Sequence, residues 1–153
     1  MTINQRWAYN ANDREYKSAE LLIQSLVKVA SRGGNFPLNV GPQPDGLIQP
    51  EFQQRLRAMG DWLAINGESI YGTTYGPVQN VRSTTKRGRL FLHIFDWPSS
   101  PLEISGLDTK VMSAHLLRGG QSLKFRQTER RLQIDLPQQA PDPNVTVIAV
   151  RTL

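Results

Sequence analysis

A chain of 153 residues with 39% hydrophobic side chains can hold one medium domain, or a piece of one joined to a small second domain. It has no cysteine, which excludes a disulfide framework and a thiolate metal site. A net charge of +5 raises a polyanion partner, but the 18 basic residues scatter over turns and alternating stretches, as on a solvated face, and no nucleic-acid motif accompanies them.

The first residues lack the basic-then-apolar pattern of a secretory signal, and no apolar run approaches the roughly 20 residues of a membrane span. As written, the chain reads as cytoplasmic, with neither a membrane nor a nucleic acid as partner. Ala19, Leu22, Ile23, Leu26 and Val27 recur at helical spacing, which predicts a helix over residues 18–31 stopped by Gly33-Gly34. Residues 35–40 form a short, largely apolar run bounded by glycines and predict a buried strand, against which Pro37 counts because it removes a ladder donor. A turn-rich stretch, 41–46, leads to Pro50 at the start of a second helix, where Glu51 suits the helix dipole. Phe52, Leu56, Met59 and Leu63 mark its expected buried stripe, and Asn66-Gly67 ends it.

After Tyr75-Gly76-Pro77 the period changes. Residues 78–84, 89–95, 102–104, 111–117, 122–126, 132–136 and 145–151 alternate or are β-branched, with turn signals between them such as 86–88, 97–101 and 118–120. About seven short strands at this spacing predict an antiparallel sandwich. The fold class is therefore α/β followed by all-β, with residues 1–74 as one unit and 75–153 as the other.

Few residues carry chemistry. His93 and His115 lie far apart in strand-like runs without a third ligand, so no metal site is expected. Asn144-Val145-Thr146 matches a glycosylation sequon but falls in a strand-like run. Asp13, Glu15, Glu20, Asp45 and Glu51 sit at helix starts or in turns, and Asp61 and Glu68 in segments expected to pack. Trp62 reads as a packing residue and Trp97 as a structural corner.

The stretch Gly33 to Gly72, with Gly-Gly-Asn-Phe-Pro-Leu-Asn-Val-Gly-Pro-Gln-Pro-Asp-Gly and then Asp-Trp-Leu-Ala-Ile-Asn-Gly-Glu-Ser-Ile-Tyr-Gly, together with Trp7-Ala8-Tyr9-Asn10, resembles the C-terminal part of the α-L-fucosidases of glycoside hydrolase family 29. The resemblance implies the last helix–strand–helix units of a partial (β/α) barrel followed by a β-sandwich. It also implies retaining removal of terminal L-fucose from glycoconjugates by the parent enzyme, without metal or organic cofactor. By the same resemblance the nucleophile and the acid/base carboxylate precede the matched region, so this chain supplies no catalytic residue and is inactive alone. Trp7, Tyr9 and Asn39 fall at the barrel mouth as substrate-binding candidates, Trp7 and Tyr9 offering aromatic faces to a sugar. The implied partners are a fucosylated glycan, in the parent, and the missing N-terminal barrel portion. The parent would be secreted or periplasmic, and Met1 an internal start. Ala8, where the family commonly has Gly, and Pro37, where it has Leu, depart from the pattern and bear on subfamily. Two other readings are a non-catalytic carbohydrate-binding or interaction sandwich, which would favour an exposed aromatic row that the sequence lacks, and a truncated product without function.

Overall fold

A computed structural model describes residues 1–99 and 101–153; Ser100 of the turn expected at 97–101 lies outside the described residues. Helix α1 spans Ala19–Ala30 and α2 spans Pro50–Asn66, continued by a 3-10 turn, Gly67–Ser69. Strands β1 (Thr74–Tyr75), β2 (Arg82–Lys86), β3 (Arg89–Ile94), β4 (Leu102–Ser105), β5 (Val111–Leu116), β6 (Phe125–Thr128), β7 (Arg131–Ile134) and β8 (Thr146–Thr152) follow. They pair antiparallel in two sheets, ordered β1-β2-β3-β8-β5 and β4-β7-β6.

Local chemistry sets the helix ends. The Ser18 hydroxyl caps α1 by accepting from the Leu21 amide at 3.1 Å, and Gly33 takes a φ of 75° past its end. Pro50 opens α2, where its missing N–H costs nothing.

The two central strands explain the layering. In β3, Leu90, Leu92 and Ile94 face the three-stranded sheet, meeting Ile104, Leu132 and Ile134 in a core between the sheets. Phe91 points the other way, as do Val147 and Ala149 of the neighbouring β8, onto Leu22, Ile23 and Val27 of α1 and Phe52, Met59 and Trp62 of α2. A strand alternates its side chains between faces, so a sheet covered on both sides needs apolar residues at every position of its central strands. The result is a mostly-β body with helices on one face of the larger sheet and the smaller sheet on the other.

Three expectations are corrected. The strand over 35–40 reduces to a single parallel bridge, Thr2 to Asn39, and the segment is half-buried or exposed rather than buried. Met1 adds two hydrogen bonds there: its terminal amine donates to the Pro37 carbonyl at 3.0 Å and the Asn39 amide to the Met1 carbonyl at 2.8 Å. The strand expected over 78–84 begins only at Arg82, because Asn80 turns its side chain to β4 instead, donating to the Glu103 carbonyl at 2.6 Å. The buried stripe of α2 is Phe52, Met59, Trp62 and Asn66, with Leu56 left 38% exposed at its edge. Arg55 takes the place on this face between Phe52 and Met59 that Leu56 was expected to fill: its guanidinium lies 5.2 Å from the Tyr16 ring and donates to the Lys17 carbonyl at 2.7 Å.

A buried polar seam joins the 3-10 turn to the larger sheet. Thr84 donates its hydroxyl to the Ser69 carbonyl at 2.6 Å and therefore accepts, at 3.0 Å, from His93 Nε2–H. This fixes the tautomer. His93 Nδ1 then carries the lone pair and has no hydrogen-bond partner. Burial pushes the His93 pKa down to about 3.

Candidate functional site

Residues 5–16 form a loop with joined ends. The Lys17 amide donates to the Ile3 carbonyl at 2.8 Å, and Lys17 Nζ to the Asn4 carbonyl at 2.8 Å. Ile3 and Asn4 are buried and hold one end. Within the loop, the Asp13 carboxylate accepts from the amides of Gln5 and Glu15, and Asn10 Oδ1 from that of Asn12, so short polar side chains do the work of secondary structure.

The second loop follows the Thr2–Asn39 bridge. Gln43 and Leu47 close a turn whose Gly46 has a φ of 84°, and Asp45 Oδ1 accepts from the Leu47 amide at 3.0 Å. The two loops meet at Gly41. A Cβ there would lie 2.5 Å from the Tyr9 nitrogen and 2.7 Å from the Ala8 carbonyl carbon, both backbone atoms, so only glycine allows this approach.

Asn39 and Trp7 are brought together, but not as two side chains facing a ligand. Asn39 Nδ2 donates to the Trp7 carbonyl at 2.6 Å, pinning the first loop, while the Trp7 ring is 71% exposed. Tyr9 is half-buried and lines a polar cleft of about 260 Å³ between the loops, with Asn10, Arg14, Tyr16, Gln43 and Gln49. Gln49 donates to the Tyr16 hydroxyl at 2.9 Å, and Tyr16 stands edge-on to Phe52 at 5.9 Å, so the cleft floor is tied to α2. Arg14, Gln43 and Gln49 carry no signal in the sequence, since polar residues in loops are ordinary. Gly41 did, as the glycine of a Gly-Pro turn.

The cleft offers hydroxyl, amide, guanidinium and carboxylate groups, and the same loop carries the exposed Trp7, which suits a hydroxyl-rich ligand with one apolar side. Of the carboxylates nearby, Asp13 and Asp45 serve their turns and Glu15 accepts from Gln5 Nε2 at 3.4 Å, while Glu51 at the start of α2 lines the cleft itself. Among the described residues no group of three or more His, Asp or Glu could hold a metal ion.

The family model described as Alpha-L-fucosidase matches residues 1–68, which contain both loops and both helices up to the 3-10 turn. Plasma α-L-fucosidase of Pongo abelii is 35% identical over 90% of this chain. The chain belongs to the α-L-fucosidase family. It spans 33% of the length of that relative. Its fold follows the family beyond the matched residues: α-L-fucosidase isoenzyme 1 from Paenibacillus thiaminolyticus superimposes on 100% of the chain with a TM-score of 0.93 and 32% identity, using 39% of its own length. A GH29 α-L-fucosidase from Bacteroides thetaiotaomicron, solved as a trapped covalent intermediate with 2-fluoro-fucosyl fluoride, covers 100% of the chain with a TM-score of 0.89 at 25% identity, with 37% of its own length matched. Both sheets of the chain are therefore family architecture.

Proposed function

We propose that this chain is the C-terminal portion of a retaining α-L-fucosidase, comprising the last units of its catalytic (β/α) barrel, residues 1–74, and a β-sandwich, residues 75–153. The observation that carries the reading is the match of the whole chain to about two-fifths of a solved fucosidase. The connectivity supports the barrel assignment: Thr2 and Asn39 pair parallel with α1 between them, as in a β/α unit. In such barrels the loops after the strands carry the substrate site. Here the loops after Thr2 and Asn39 are the two that build the cleft.

In the intact enzyme Trp7 would wall the sugar with an apolar face, Tyr9 would present its hydroxyl from the cleft, and Asn39 would position Trp7 through its carbonyl. The substrate would be a terminal L-fucosyl group of a glycoconjugate. Retaining hydrolysis uses two carboxyl groups about 5 Å apart, one attacking the anomeric carbon and one protonating the leaving oxygen, and needs neither metal nor organic cofactor. The missing N-terminal barrel portion would bring both carboxyls. The 153-residue chain alone is therefore expected to release no 4-nitrophenol from 4-nitrophenyl α-L-fucoside above the buffer rate. Turnover that copurifies with the chain and is lost on replacing one of its own carboxylates would refute the reading.

A further inference from the structure

The outer face of the smaller sheet carries a depression of about 520 Å³ that the cleft chemistry does not use. Strand register orders its lining. Glu103, Gln133 and Arg126 stand in one row across β4, β7 and β6, and Ser105, Arg131 and Thr128 in the next. Their neighbours Ile104, Leu132 and Ile134 point into the core, so alternation turns these six outward. Strands about 4.8 Å apart and a two-residue step of about 7 Å make a patch on the order of one or two pyranose rings across. One wall is built: Asn80 Nδ2 donates to the Glu103 carbonyl at 2.6 Å, and Asn80 Oδ1 accepts from the Ser105 amide at 3.3 Å, holding the preceding loop against β4.

Charge selects the occupant. Of the three arginines on the β6–β7 hairpin, Arg130 is paired with Asp108 at 2.6 Å, whereas Arg126 and Arg131 have no ion-pair partner among the described residues. The register sets Arg126 and Arg131 diagonally on one face, at a Cα spacing of about 7–8 Å that long side chains bridge. Two guanidinium forks can thus converge on one oxyanion, with Gln133 and Thr128 beside them to serve hydroxyls. Glu103 stands diagonal to Arg131 on its other flank, at the same spacing as Arg126, and is placed there to accept from sugar hydroxyls.

We propose that this depression is an accessory saccharide subsite that recognises an oxyanion, a carboxylate or a sulfate ester, on the glycan. It rests on the fucosidase reading for the saccharide nature of the ligand, and on the paired arginines for its charge. The five-stranded sheet separates it from the helices and their loops, so it is distinct from the Trp7–Tyr9 cleft.

The test is an NMR titration of the full 153-residue chain at low salt with 3′-sialyllactose, lactose 3′-sulfate, lactose and inorganic sulfate. At least one acidic sugar is expected to shift the Arg126 and Arg131 Nε–H and Gln133 amide resonances at concentrations about tenfold below those lactose needs, in line with charge-assisted hydrogen bonding. Arg126→Ala and Arg131→Ala should each weaken that binding several-fold and Arg130→Ala should not. A response to sialyllactose alone assigns a carboxylate, to the sulfated sugar alone a sulfate ester, and to both a general oxyanion subsite. Equal binding of lactose, binding of inorganic sulfate as tight as that of the acidic sugars, or no shift at these residues would each overturn the proposal. The fucosidase reading would survive that failure, because fucoside hydrolysis tests it separately.

Discussion

Trp62→Ala should lower the unfolding free energy by about 3–5 kcal/mol, the cost of emptying a buried aromatic site. Trp62 is 2% exposed, packs between α2 and the larger sheet, and donates Nε1–H to the Val145 carbonyl at 3.0 Å, at the entry to β8. Truncation therefore opens a cavity and leaves a buried carbonyl unpaired at the start of β8, the strand that joins β3 to β5. In a chain of this size each kcal/mol shifts Tm by about 2–4 °C, so a fall of more than about 6 °C is expected. Trp62→Phe keeps most of the volume and loses only the donor, so it should cost less than the alanine variant. Unfolding free energies from urea titration that differ by less than about 1 kcal/mol between wild type and Trp62→Ala would mean that the helices do not depend on this contact.

Acid should destabilise the chain as the pH falls from 6.5 to 5. His93 is buried and neutral in the folded state, with a pKa lowered to about 3 by burial, against 6.5 when unfolded. Below pH 6.5 the unfolded state takes up a proton that the folded state refuses. The stability that His93 contributes is thus complete above pH 6.5 and is lost as pH falls toward 3. The loss amounts to about 2 kcal/mol by pH 5, on the order of 1.4 kcal/mol for each further pH unit. His93→Leu, which cannot bind that proton, should flatten the curve between pH 6.5 and 5. The same slope in both proteins over that window would show that His93 does not govern it.

Both helices were legible to within a residue or two, because an amphipathic repeat and its caps are local signals. So were five of the seven expected strands, whereas the one over 78–84 starts only at Arg82, the one over 122–126 only at Phe125, and β1 gave no sign with only Thr74 and Tyr75 in it. What the sequence hid was non-local. Residues 35–40 are apolar enough for a strand but among the described residues pair only with Met1 and Thr2, and no local pattern reports a missing neighbour. Arg55 displaced Leu56 from the stripe through a carbonyl 38 residues away in sequence. At the candidate site the aromatics Trp7 and Tyr9 were visible as residue types, while the Asn39–Trp7 hydrogen bond and the contact at Gly41 depend on two loops meeting in space.

Complementation tests the central claim most directly. The chain is co-refolded with the N-terminal portion of a GH29 α-L-fucosidase that ends where this chain begins, and release of 4-nitrophenol from 4-nitrophenyl α-L-fucoside is followed. The account predicts no turnover from either piece and turnover from the mixture. In that mixture Trp7→Ala should lower kcat/KM while the far-UV and near-UV signatures of the complex are retained. A mixture that forms a stable complex yet stays inactive, or an N-terminal piece as active alone as with the chain, would contradict it.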